Sequence, residues 1–344
     1  MRSKGVCMAR IKQEDYVYAI ARIRVRETKL LTLSRLERLL DISDSAEATK
    51  FLVEAGYSAG NSSGIEGMDD IEQLLTSELK STYAFIEEII PEQLVSDLFK
   101  KKYDYLNAKL ILKAEFLKIN VSDSLSDMGT IEPEKLLKII TDRKFDEVSE
   151  IFSKAVLDSC ESFNKTGDPQ TIDFILDNAS YAEMISDAEE SGDSDLISLV
   201  NLLIYTANIR IFIRSKFLNK SDDFIRRAWI KSGSFTEEIL EKMVDSDFDK
   251  LFAVLKDTGY EKLSPKLKDA INHDDGITEV EKVLDDYISQ YLRQSKYAIM
   301  GVEPVVGYLY FKETEIKNAR MIITGVKNNV SRETIKERLR LGYA

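Results

Sequence analysis

Asn107-Ala108-Lys109-Leu110-Ile111-Leu112, Asn208-Ile209-Arg210-Ile211-Phe212-Ile213 and Asn318-Ala319-Arg320-Met321-Ile322-Ile323 are three versions of one phrase. Each is an asparagine, a basic residue two positions on, and an apolar run. A small residue follows seven positions past each asparagine, as Ala114, Ser215 and Gly325. A second marker precedes each copy: a helix end, a short polar turn and another apolar helix. It reads Leu39-Leu40-Asp41 to Phe51-Leu52 and Gly56-Tyr57, and again Met243-Val244-Asp245 to Phe252 and Gly259-Tyr260. The middle copy, Ile139-Ile140-Thr141 to Ile151-Phe152, lacks the Gly-Tyr. Two markers in one order, three times, at a period of roughly a hundred residues, define a tandem repeat far longer than a solenoid unit.

Around these markers the spacing is helical almost everywhere. Ile71, Leu74, Leu75, Leu79, Tyr83 and Ile86 form one stripe at steps of three and four. Pro91, Asp168-Pro169 and Glu303-Pro304 read as helix starts. Gly192-Asp193 reads as the end of one helix and the cap of the next. No run alternates as a strand would. The 344 residues hold only 15 Gly and 5 Pro, well under the usual ~7% and ~5%, which leaves little turn material for a sandwich, a barrel or a doubly wound sheet. The fold class expected is all-α, in three repeated helical domains. The polar loops Ser122 to Glu134 and Ser232 to Ser234 place the divisions at 1–127, 128–232 and 233–344.

An asparagine inside a helix is unfavourable, because its amide competes for backbone hydrogen bonds. Asn107, Asn208 and Asn318 are therefore expected to bond backbone groups of an adjoining helix or loop, with Asn208 the most buried. Lys109, Arg210 and Arg320 point to a different side of the helix. They are expected to face a common lumen or an acidic residue of another domain. All six are structural positions, not reactive ones.

Reactive constellations are scarce. One His and two Cys cannot build a zinc site with the usual ligand spacing, or a disulfide framework. Gly60-Asn61-Ser62-Ser63-Gly64 matches a nucleophile elbow in letters only, with no strand before it and the single His in a polar stretch. The pairs Asp69-Asp70, Asp222-Asp223, Asp274-Asp275 and Asp285-Asp286 raise the idea of a magnesium enzyme, but none extends to a run placing two ligands a turn apart. They read as solvated loop and helix-start charges. There is no Walker A sequence. A net charge of −12 argues against nucleic acid. Against that balance, Arg210, Arg214, Lys216, Lys220, Arg226, Arg227 and Lys231 crowd into one stretch. It reads as a solvated helix face or as a docking surface for an acidic partner.

Leu196 to Ile213 is long and apolar enough to test as a membrane span. Its central Arg210 would cost roughly 2.5–3.5 kcal/mol in a bilayer, so a buried core helix is expected. No signal peptide is visible, and a reducing cytoplasm is the natural compartment.

Gly301-Val302-Glu303-Pro304, Tyr308, Lys312-Glu313, Glu315, Asn318, Arg320 and Ile322-Ile323-Thr324-Gly325 resemble the signature of the C-subunit family of V-type ATPases and ATP synthases, whose eukaryotic form is the d-subunit. Tyr16 to Arg24 with Leu30-Leu31, and Tyr103 to Lys109, resemble further parts of that family's pattern. The resemblance implies three helical domains with pseudo-threefold symmetry forming a funnel. It also implies a non-catalytic central-stalk rotor component without cofactor, peripheral on the cytoplasmic face of the membrane. Its implied partners are the central shaft subunits and the membrane rotor ring. The competing reading from composition alone is a soluble all-helical scaffold that binds unrelated partners.

Overall fold

The computed structural model describes residues 11–57, 68–233, 237–246 and 248–343. Among these every regular element is helical, and no strand occurs. In chain order the first third holds α1 (Val17–Glu27), α2 (Leu33–Asp41), α3 (Ser45–Glu54), α4 (Met68–Ile89) and α5 (Leu94–Leu117). Next come α6 (Pro133–Asp142), α7 (Glu150–Thr166), α8 (Gln170–Ser191), α9 (Ser194–Phe217) and α10 (Asp222–Ala228). The last third holds α11 (Glu237–Met243), α12 (Phe248–Asp257), α13 (Ser264–Ile271), α14 (Gly276–Leu292), α15 (Glu303–Lys327) and α16 (Arg332–Arg338).

Local chemistry sets the helix ends. Thr32, Asp44, Ser149, Asp193, Ser221 and Ser331 each accept a backbone N–H at an N-terminus. Gly192 closes α8 in the left-handed region, and Asp193 then caps α9, as expected. Pro304 lies in the first turn of α15. Pro91 differs from expectation: it lies in the link after α4, three residues before α5 begins. Gly56 and Gly259 adopt φ of +101° and +83°, and Tyr57 N and Tyr260 N then donate back to Leu52 O and Leu255 O. The repeated Gly-Tyr is thus one C-terminal turn used twice.

The chain divides into two compact units. One comprises Leu94–Ser264 with Ile11, and the other Lys12–Gln93 with Pro265–Ala344. In the first, Ala108 and Leu112 of α5 pack with Leu136, Ile140, Val156 and Leu176 of α6, α7 and α8. In the second, Ala319 and Ile322 of α15 pack with Leu36, Leu40, Leu52 and Leu75 of α2, α3 and α4. In both cores, a helix bearing the asparagine phrase joins helices from another third of the chain. Within the first unit α9 behaves alike toward α12: Tyr205 stacks on Tyr260 at 3.7 Å, and Phe212 meets Phe248 edge-on at 6.4 Å.

α9 is the apolar segment met in the sequence. It is one helix long and apolar enough to cross a membrane, and 67% of its most apolar window is buried inside the fold. Packing against protein accounts for that composition.

Candidate functional site

The three asparagine helices, α5, α9 and α15, end in the same construction. Eleven residues past each asparagine the chain turns left-handed at a non-glycine residue, Lys118, Asn219 and Asn329, with φ of 55°, 50° and 56°. The next N–H returns to the small residue: Ile119 to Ala114 O, Lys220 to Ser215 O and Val330 to Gly325 O, at 3.1, 2.9 and 3.0 Å. A short helical segment follows, α10 and α16 in two copies and a single 3₁₀ turn, Ser122–Ser124, in the first. Each segment ends in an extended residue: Leu125, Trp229 or Leu339.

The residue after that is held by the asparagine through both halves of its amide. Asn107 donates to Ser126 O at 2.7 Å and accepts from Ser126 N at 2.8 Å. Asn208 does the same with Ile230, both bonds 2.9 Å. Asn318 does it with Arg340, both bonds 2.9 Å. The expected backbone pairing is present in all three. The expected ranking is not, because all three asparagines are fully buried. What sets Asn208 apart is its partner, since Ile230 is itself buried. The small residue seven positions on makes room for the returning segment. A Cβ on Gly325 would lie 2.7 Å from Ile335 Cδ1.

A second layer lies one and two turns earlier, where the first and third copies read Lys-x-x-acid-x-x-Asn. Lys101 binds Glu183 at 3.0 Å and Asp187 at 2.6 Å on α8. Lys312 binds Glu78 on α4 at 2.8 Å and Glu315 at 2.7 Å. The acid then holds the backbone leading into another helix. Asp104 accepts from Thr130 N at 2.9 Å and Ile131 N at 3.1 Å, just before α6. Glu315 accepts from Leu31 N, just before α2, and from the Tyr57 hydroxyl at 2.7 Å. Gly129 is required beside Asp104, because a Cβ there would stand 2.0 Å from Asp104 Oδ1. In the sequence Asp104, Lys312 and Glu315 stood only as letters of the family's pattern and Lys101 was passed over, although the four sit at matched offsets from their asparagines. The middle copy carries Leu202 and Tyr205 instead, and Tyr205 hydrogen-bonds Thr258 at 3.0 Å.

Burial and charge shift several of these groups. Burial pushes the Asp104 carboxyl above its usual range, against the bonds from Thr130 and Ile131 that hold it down. For Lys312 burial works to lower the ammonium, but Glu315 and Glu78 outweigh it and hold it above the ordinary lysine value. Burial, with Glu315 and Glu78 beside it, raises the Tyr57 phenol well above normal.

Lys109 and Arg320 each meet a carboxylate six residues before the one their copy's lysine uses. Lys109 binds Asp177 on α8, and Arg320 binds Glu72 on α4 with Nε to Oε2 at 2.9 Å. Arg210 is half-buried in a depression with Asp177 and Tyr181. Arg210 and Asp177 thus line one depression, while Asp177 binds Lys109. Each asparagine is held within its own clasp.

The paired aspartates have ordinary duties. Asp285 accepts from Arg340 Nε at 2.9 Å and Asp286 from Leu341 N at 2.6 Å. This half-buried pair holds the C-terminal segment, and burial raises Asp286. Asp275 binds Arg338 at 2.6 Å, and Asp222 and Asp223 open α10. Gly60 to Gly64 and the side chains of Asp69 and Asp70 lie outside the described residues. Among the described residues no group of three or more His, Cys, Asp or Glu is placed to hold a metal ion.

A helical protein whose repeated features are clasps and buried ion pairs is built to hold a shape. The chain belongs to the ATP synthase (C/AC39) subunit family, whose pattern matches residues 19–338. Members of this family are non-catalytic accessory subunits of the rotary ATPase. The chain is 25% identical to the C-subunit of the V-type sodium ATPase of Enterococcus hirae, over 93% of this chain and 97% of that protein. It is 24% identical to the C-subunit of the A-type ATP synthase of Methanocaldococcus jannaschii, over 94% and 86%. It is also 24% identical to the corresponding protein of Pyrococcus furiosus, over 95% and 90%.

Proposed function

We propose that this chain is a central-stalk rotor component of a V-type ion-translocating ATPase or ATP synthase, a socket joining the central shaft to the membrane rotor ring. In this reading the segments 1–127, 128–232 and 233–344 are three repeats around a pseudo-threefold axis, enclosing a funnel. Lys109, Arg210 and Arg320 face its lumen, while Asn107, Asn208 and Asn318 fasten its wall. The protein sits peripherally on the cytoplasmic face, with no membrane span, nucleic acid or cofactor of its own.

The observation that carries the reading is the clasp repeated three times in a chain of this family. A socket under torque must be stiff. Close packing and doubly bonded clasps resist deformation, where long loops would yield. Helices that pack with another third of the chain support the same view, because they spread load across the sequence.

Reconstitution tests it. Purified shaft subunits and detergent-solubilised ring are mixed with and without this chain, and their co-sedimentation is measured. Stable association is expected only with the chain; equal association without it ends the socket assignment.

A further inference from the structure

The basic stretch from Arg210 to Lys231 is answered within the fold: Arg226 pairs with Glu241, Arg227 with Asp168 and Lys231 with Glu237. A cationic surplus lies instead on α1 and on the link between α14 and α15, both in the unit that contains α15. Residues 16–33 hold Arg22, Arg24, Arg26 and Lys29 against a single acid, Glu27. Residues 287–302 hold Arg293 and Lys296 against none. Glu27 is buried and bound to Arg24 at 2.8 Å, and Glu88 of α4 stands 3.8 Å from Arg22. Arg26, Lys29 and Lys296 have no ion pair among the described residues. Glu14 and Asp15 precede α1, at the end away from Arg26 and Lys29.

The same two segments expose apolar side chains. α1 buries Ala19, Ile20 and Ile23, so its other side presents Val17, Tyr18 and Val25, the last two 62% and 64% exposed. The link is fastened alongside. Arg24 donates to Ser295 O and Ala298 O, both at 2.8 Å, and Gly301 N donates to Gln13 O at 2.9 Å. Held that way, Tyr297 and Ile299 remain 87% and 73% exposed, with Met300 next in the chain. Apolar exposure concentrated in this way marks an interaction surface.

We infer that this face rests on a bilayer containing anionic lipid, with Tyr297 and Ile299 entering the headgroup layer and Arg26, Lys29 and Lys296 meeting lipid phosphates and carboxylates. The unpaired cations favour an anionic surface. The apolar side chains project from a helix and a link, and a fluid headgroup layer accepts such projections without a complementary shape. Tyrosine, with an apolar ring and a polar tip, suits that depth. The family's complex is membrane-associated, so such a surface is at hand. The inference goes beyond the socket reading and does not rest on it, since neither shaft nor ring enters its test.

The full-length chain is floated with vesicles of phosphatidylcholine alone, and of phosphatidylcholine and phosphatidylserine at about three to one. Binding is expected to the second only, and should fall steeply with added salt. Arg26→Glu/Lys29→Glu should lower the partition coefficient at least about tenfold, with an unchanged melting curve because both side chains are exposed. Tyr297→Trp measures depth. The natural chain's single tryptophan, Trp229, is fully buried, so a blue shift and quenching by brominated acyl chains report the introduced indole. Equal flotation with both vesicles, unaltered binding by Arg26→Glu/Lys29→Glu, or binding without quenching would overturn the inference. So would flotation with neither vesicle by a chain that binds polyglutamate through Arg26 and Lys29, an outcome that assigns the face to an acidic protein.

Discussion

An asparagine amide donates and accepts in one plane, so it can replace both halves of a backbone pairing at once. Asn107, Asn208 and Asn318 do so for a residue 19 or 22 positions on, where no helix or sheet partner exists. Leucine at any of the three strands one N–H and one C=O, each costing about 1–3 kcal/mol where water is excluded. Asn208→Leu should therefore destabilise by about 2–6 kcal/mol. Asn107→Leu and Asn318→Leu should cost less, because Ser126 and Arg340 are half-buried and water can replace part of the loss. Guanidinium unfolding followed by circular dichroism checks the order. A smaller shift for Asn208→Leu than for Asn107→Leu would contradict it.

At the scale of helices, α4 and α15 are joined by a buried lysine between two carboxylates. Such a group favours its partners only while charged. Lys312 has a folded pKa above its unfolded value, so its contribution is complete below the unfolded lysine value of about 10.4. It is lost as pH rises through the folded value. Stability should therefore hold from neutrality to about pH 10 as far as this group is concerned, then fall. Lys312→Met leaves Glu78 and Glu315 buried without their cation, and should destabilise by roughly 3–5 kcal/mol at pH 7. Its alkaline decline should also be shallower than that of the unaltered chain. Thermal melts of both proteins between about pH 7 and 11 measure the two effects. Parallel declines would show that Lys312 is not the titrating group.

For the whole molecule, chain order and compactness disagree. The unit Leu94–Ser264 is nearly contiguous, whereas the other draws on both flanking stretches. The C-terminal segment fastens this second unit. Arg340 takes the Asn318 clasp and Asp285, Leu341 N bonds Asp286, and Gly342 O accepts from Arg293 at 2.6 Å. Removing residues 340–344 should lower hydrogen-exchange protection in α14 and α15 while leaving α6 to α9 unchanged. Uniform loss across all these helices would mean the two units open together.

Much of this was legible beforehand. Breaker-poor composition and steps of three and four specify helices through local sterics and capping, which neighbouring residues decide. The threefold phrase and the family signature were visible for the same reason: each is written in contiguous residues. The amide clasps could be anticipated because an asparagine inside a helix must find a partner. The tertiary structure alone decided which backbone group each amide reaches. It also decided that Lys101 and Lys312 pair with carboxylates far along the chain, and that α5 and α15 pack with another third of the sequence. Those outcomes depend on distances between residues separated by tens to hundreds of positions. Periodicity records only which face of a helix is apolar, so the partner that covers the face is settled by three-dimensional packing.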